Sequence, residues 1–165
     1  IDFVRAQTPA GDALAIYSSA EALSAHRPGD RPMALDFRTI GLTALIETGG
    51  RVVVNPGTDA VLLPRPAVAA LAQGDQWLPA WRDVALRELL LAEASAACSA
   101  ITDLSITYAG DGLTRVIVSV ERSCFTGAAN ASAMKQSLTQ ALSHVGANRR
   151  LIASADRVEI APILA

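Results

Sequence analysis

Over the first eighty residues, short apolar runs are separated by turn formers. Phe3 to Thr8 and Ala13 to Tyr17 read as two strands, and Pro9, Ala10, Gly11 and Asp12 between them predict a hairpin. Ser18 or Ser19 then caps a short helix with Glu21 in its first turn and Leu23 facing inward. Pro28 and Gly29 stop that helix near Arg27, so residues 26–32 read as a loop. Met33 to Leu35 suggest a brief strand. Asp36 caps a second helix whose Phe37, Ile40 and Leu45, with Leu42 and Ala44, recur at helical spacing. Gly49 and Gly50 end it. Val52 to Val54 form a buried strand broken by Asn55-Pro56-Gly57, and Val61 to Leu63 are its hairpin partner. Pro66 sits in the first turn of a third helix that runs to about Ala72.

The pattern changes between Gln73 and Trp81, where Gly74, two tryptophans and Pro79 fall in a span without periodicity. A boundary is expected there, giving domains 1–80 and 81–165. Trp77 and Trp81 are expected to be largely buried, as an apolar seal between the halves. In the second half, Asp83 opens a helix carrying Val84, Leu86, Leu89, Leu90, Ala94 and Ala97. Leu104, Ile106 and Tyr108 alternate with polar neighbours, Gly110-Asp111-Gly112 turns the chain, and Val116, Val118 and Val120 return. Asn130 is read as the cap of a helix with Met134, Leu138, Ala141, Leu142 and Val145 on one face, ended by Gly146. A last strand holds Val158 and Ile160, and Pro162 confines it to an edge or to its own end. The fold class is therefore α+β: a small mixed sheet with helices, then a helix–strand–strand–helix–strand domain in two layers.

Composition narrows the function more by exclusion than by assignment. Half of the 165 residues are hydrophobic (51%) and the aromatics only 4%, so the core is aliphatic. A net charge of −2 argues against a nucleic-acid partner, whose phosphates call for a basic face. No apolar run is long enough for a transmembrane helix, so membrane insertion is not expected. The chain opens on Ile1 rather than Met, which suggests a longer gene product. Cys98 and Cys124 lack the close Cys/His spacing of a zinc site, so free thiols and no metal are expected.

The motifs of common catalysis are missing. The sole lysine, Lys135, follows no glycine loop that would make a phosphate-binding motif, and neither GxGxxG before a helix nor GxSxG occurs. No catalytic residue and no cofactor is assigned, and the chain is expected not to be an enzyme. Two features remain as candidate binding positions. His26, Arg27 and Arg31, with Arg38, make a local positive patch able to hold a carboxylate or phosphate, although Asp30 and Asp36 are expected to pair with its arginines. Asn55 and Gly57 lie in a sharp turn after a buried strand, where backbone amides can receive an anion.

One set of segments is more specific. Ile16-Tyr17-Ser18-Ser19-Ala20-Glu21-Ala22-Leu23, then His26-Arg27-Pro28, then Val52-Val53-Val54-Asn55-Pro56-Gly57 resemble the SseB N-terminal domain of bacteria. That family has a strand leading into a (F/Y)TS-x-EAL helix and a later strand ending in (V/I)(V/L)(N/D)P. Leu63-Pro64-Arg65-Pro66 and Trp77-Leu78-Pro79-Ala80 fit its ending, and Ser18 stands where the family usually has Thr. The second half is similar in layout to the C-terminal region of actinobacterial members. The resemblance implies a cytoplasmic protein named for a serine-sensitivity phenotype, distinct from the translocon protein of the same name. The family has no established enzymatic activity, so the resemblance transfers no catalytic residue. The leading expectation is a protein-binding or regulatory module, its sheet edges open to a protein partner. The alternatives are a small-metabolite or anion sensor or enzyme at the Arg27/Arg31 loop or the Asn55 turn, and a secretion-associated accessory protein.

Overall fold

The computed structural model describes residues 3–165, apart from the side chains of residues 128 and 129. The chain divides into two compact units, Ile1–Trp77 and Leu78–Ala165. In the first, β1 (Arg5–Thr8) and β2 (Gly11–Ile16) form the expected hairpin, followed by α1 (Ala20–His26) and α2 (Phe37–Glu47). Then come β3 (Val52–Val54), β4 (Val61–Leu63) and α3 (Arg65–Gln73). The sheet order is β1-β2-β3-β4, antiparallel at both outer pairs and parallel between β2 and β3. Parallel strands need a long crossover; residues 17–51, with α1 and α2, supply it. Met33 to Leu35 lie within that crossover as irregular chain rather than a strand, directly before the cap at Asp36.

Alternation along β2 divides the core of this unit. Leu14 joins Val52, Ala44 and Val68, with Phe37 and Ile40 against them, while Ala13, Ala15 and Val53 form a separate buried cluster. A Cβ at Gly41 would stand 2.6 Å from that of Ala72, so this glycine sets how closely α2 and α3 approach. Phe37, Ile40 and Ala44 face inward as the spacing indicates, with buried Gly41 beside them, whereas Leu42 and Leu45 face outward.

The second unit contains α4 (Val84–Ala97), β5 (Ile101–Tyr108), β6 (Leu113–Val120), α5 (Ala128–Ala147), α6 (Arg149–Ser154) and β7 (Arg157–Leu164). The sheet order is β5-β6-β7, antiparallel then parallel. Thr114, Val116, Val118 and Val120 of the central strand are buried, and Leu86, Leu90 and Ala94 of α4 share their core with Ala141 and Val145 of α5. Val84 and Leu89 of α4 are exposed. Asn130 lies inside α5, which begins after Gly127. The helix continues one residue past Gly146, and Asn148 immediately caps α6, an element the periodicity did not reveal. Trp77 and Trp81 are both mostly buried; Trp81 packs on the core of its own unit, its ring 4.8 Å from that of Tyr108.

The edges of this second sheet are less open than the sequence suggests. Ala165 N–H donates to Val120 O at 2.9 Å, so odd-numbered residues of β7 direct their backbone groups toward β6. By alternation Pro162 faces the free side, where its missing N–H blunts pairing. On β5, Arg87 Nε donates to Leu104 O at 2.7 Å and Ser95 Oγ to Ile101 O at 3.3 Å, so α4 takes up carbonyls of this outer strand.

Candidate functional site

The parallel register of β2 and β3 sets Ile16 beside Val54, so the residues that leave both strands emerge together at their carboxyl ends. Open α/β sheets commonly place ligands at such an end. Here Tyr17 and Ser18 follow β2, Asn55 and Gly57 follow β3, and His26 returns from the end of α1. Tyr17 Oη lies 2.9 Å from His26 Nδ1. Burial raises the Tyr17 pKa above its ordinary value; Arg27 opposes this and Asp30 adds to it. Tyr17 is thus a neutral phenol across the physiological range, hydrogen-bonded to Nδ1 of the ring. The ring rests on Gly57, where an added Cβ would come within 2.9 Å of three ring atoms.

Asn55 has a left-handed backbone, φ 53°, a conformation its short amide side chain tolerates. Its Oδ1 accepts from Ser18 N–H at 2.9 Å, and the amide and the Ser18 hydroxyl lie within 3.0–3.2 Å. The turn is therefore stitched to β2, and this employment limits its use as an anion cradle. Asn55 N–H already donates to Ile16 O at 2.9 Å and Pro56 has no N–H, leaving Gly57 the only backbone donor of the three.

The structure thus brings His26 and Gly57 into contact and places Asn55 on the neighbouring Ser18. Arg27 instead engages Asp30, and that hydrogen bond raises its own pKa further. Arg31 lies in the exposed stretch before α2 and makes no ion pair among the described residues. Asp36, expected to pair with an arginine, caps α2 by accepting from Thr39 N–H and Thr39 Oγ1, both at 2.9 Å. Tyr17 and Ser18 are the members of the site that sequence reasoning missed. Their partners lie 9 and 37 residues away: the course of α1 returns His26 to Tyr17, and the pairing of β2 with β3 brings Asn55 to Ser18.

Residues 1–70 match the sequence model of the SseB protein N-terminal domain. The first unit carries an SseB domain. The match takes in β1 to β4 and ends inside α3, so the Tyr17–His26–Asn55 cluster lies wholly within the SseB domain. No curated protein and no solved structure matches the chain. Among the described residues no group of three or more His, Cys, Asp or Glu could hold a metal ion, and no helix is long and apolar enough to cross a membrane.

Proposed function

We propose that the chain is a non-enzymatic, cytoplasmic binding or regulatory module that acts through contacts with another protein. The observation that carries this reading is the outward stripe of α2. Leu42, Leu45 and Ile46 recur at i, i+3 and i+4 and are 51, 37 and 85% exposed. Such spacing lays one continuous apolar face along a helix, the arrangement by which helices seat in a partner's groove. Full burial of each side chain is worth roughly 1.5–3 kcal/mol, enough for two or three of them to anchor an interface. The blunted edge of β7 favours this face over strand addition in the second unit. Free Cys98 and Cys124 agree with a reducing compartment.

The experiment starts from a protein partner crosslinked to the full-length chain in its own cells and then purified. The double substitution Leu42→Glu and Ile46→Glu, both at exposed positions, should weaken that partner's binding at least tenfold with an unchanged melting temperature. Undiminished binding, or recovery of no stoichiometric partner, overturns the reading. A second reading, a small-metabolite or anion site, is favoured by the Tyr17–His26 pair seated on Gly57. It requires the His26 ring resonances to move saturably on titration with small carboxylates or phosphate, and it falls if they do not.

A further inference from the structure

Within the second unit, the end of β6, the short helical turn Arg122–Phe125, α5 and the end of β7 enclose a cleft of about 340 Å³. Six of its eight lining side chains are apolar, among them Phe125, Leu138 and Ile163, and the other two are Arg122 and Lys135. No acidic side chain lines it. Neither cation makes an ion pair among the described residues. The frame is fixed by backbone bonds: Arg122 N–H donates to the Ala165 oxygen at 3.3 Å, and Ala165 N–H to Val120 O at 2.9 Å.

We infer that this cleft binds an amphipathic monoanion, an unbranched aliphatic chain that ends in a carboxylate. The apolar walls account for the body of the ligand, because burying hydrocarbon there removes it from water. Walls alone would accept any apolar group; two cations and no acid select the sign of the head. The exposed Arg122 and Lys135 line the cleft chiefly through their carbon stems and carry their charges toward its mouth, where a planar guanidinium can match a carboxylate. The volume lies at the lower end of the range for small-molecule sites, roughly 300–1,000 Å³, which suits one short chain. None of these residues belongs to the SseB domain or to the α2 stripe, so the inference is independent of the protein-binding reading.

The test is an amide NMR titration of the full chain with decanoate below its micelle threshold, with decanol, decylammonium and acetate as controls. Decanoate should produce saturable shifts at Phe125, Leu138 and Ile163 and bind about tenfold more tightly than decanol, one decade for the charged head. Decylammonium and acetate should not saturate. Arg122→Gln with Lys135→Gln, both at exposed positions, should reduce decanoate to the level of decanol; Ile163→Ser, at a half-exposed position, should weaken both. Equal binding of decanoate and decanol to the unaltered chain overturns the inference. So does saturable binding of decylammonium, an absence of saturation by decanoate, or shifts centred on Leu42 and Ile46. Comparing the three head groups on the unaltered chain keeps the test decisive even if a variant misfolds.

Discussion

Asn55 combines two features that substitution can separate. Its left-handed backbone costs most residues about 1–2 kcal/mol, and its side chain ties the turn to Ser18 across 37 residues. Asn55→Gly removes the amide but suits the dihedral, whereas Asn55→Ala removes the amide and strains the turn. Asn55→Ala should therefore be the less stable by about 1 kcal/mol in urea unfolding; equal stabilities would show that the dihedral is not the constraint. Asp36 provides a pH-dependent counterpart. The hydrogen bonds from Thr39, the backbone one foremost, favour the ionised form and hold its pKa below the ordinary 3.8. A carboxylate depressed by folding contributes stability that is complete above its unfolded pKa and lost as pH falls through the folded one. Glu21 is lowered too, first by its own backbone N–H and then by Ser19, and acts in the same acid window. The melting-temperature advantage of the natural chain over Asp36→Ala should be full at about pH 6 and shrink between about pH 5 and pH 2. Asp36→Asn, whose amide still caps, should keep its own advantage over Asp36→Ala through that acid range.

At the scale of elements, the start of α4 and the start of α6 are joined through one side chain. Asp83 Oδ1 accepts from Leu86 N–H at 3.0 Å as the cap of α4, and both carboxylate oxygens accept from Arg150 Nη2 at 2.7–2.9 Å. Asp83 is nearly buried while Arg150 is half-exposed, so solvent screens the ion pair and the cap is the larger contribution. Asp83→Ala should cost about 1–2 kcal/mol and Arg150→Ala less than 1 kcal/mol, measured by denaturant unfolding. An Arg150→Ala loss as large as that of Asp83→Ala would reverse that ranking. The cap at Asp83 was legible because an acidic residue stood directly before an apolar periodic run. Helix α6 was not: it is six residues long, and Leu151 is its one buried residue, too little for a period. On α2, inward Phe37, Ile40 and Ala44 were legible, but the outward placement of Leu42 and Leu45 was hidden for a different reason. Leu42 and Leu45 read as core on hydropathy, but Gly41 against Ala72 and buried Ala44 let α3 approach the small-residue face.

For the whole molecule, charge is the property that composition states most directly. With a net charge of −2, the chain should not bind duplex DNA at about 150 mM salt, since nonspecific affinity comes from cations that displace counterions. Fluorescence anisotropy of a labelled duplex tests this, and salt-dependent retention would contradict it. The sequence by itself determined the α+β class, the three hairpins, the strand β7, most helix caps and the SseB character of the first seventy residues. These are local or additive properties: turn dihedrals, capping hydrogen bonds and alternation act between near neighbours. Tertiary structure alone decided that β2 and β3 lie parallel, and so that Ser18 meets Asn55. It also decided that Leu42 and Ile46 face outward, and that Arg122 and Lys135 share an apolar cleft with Leu138 and Ile163. Those relations depend on which faces pack, and packing is chosen by the shapes of residues far apart in the chain.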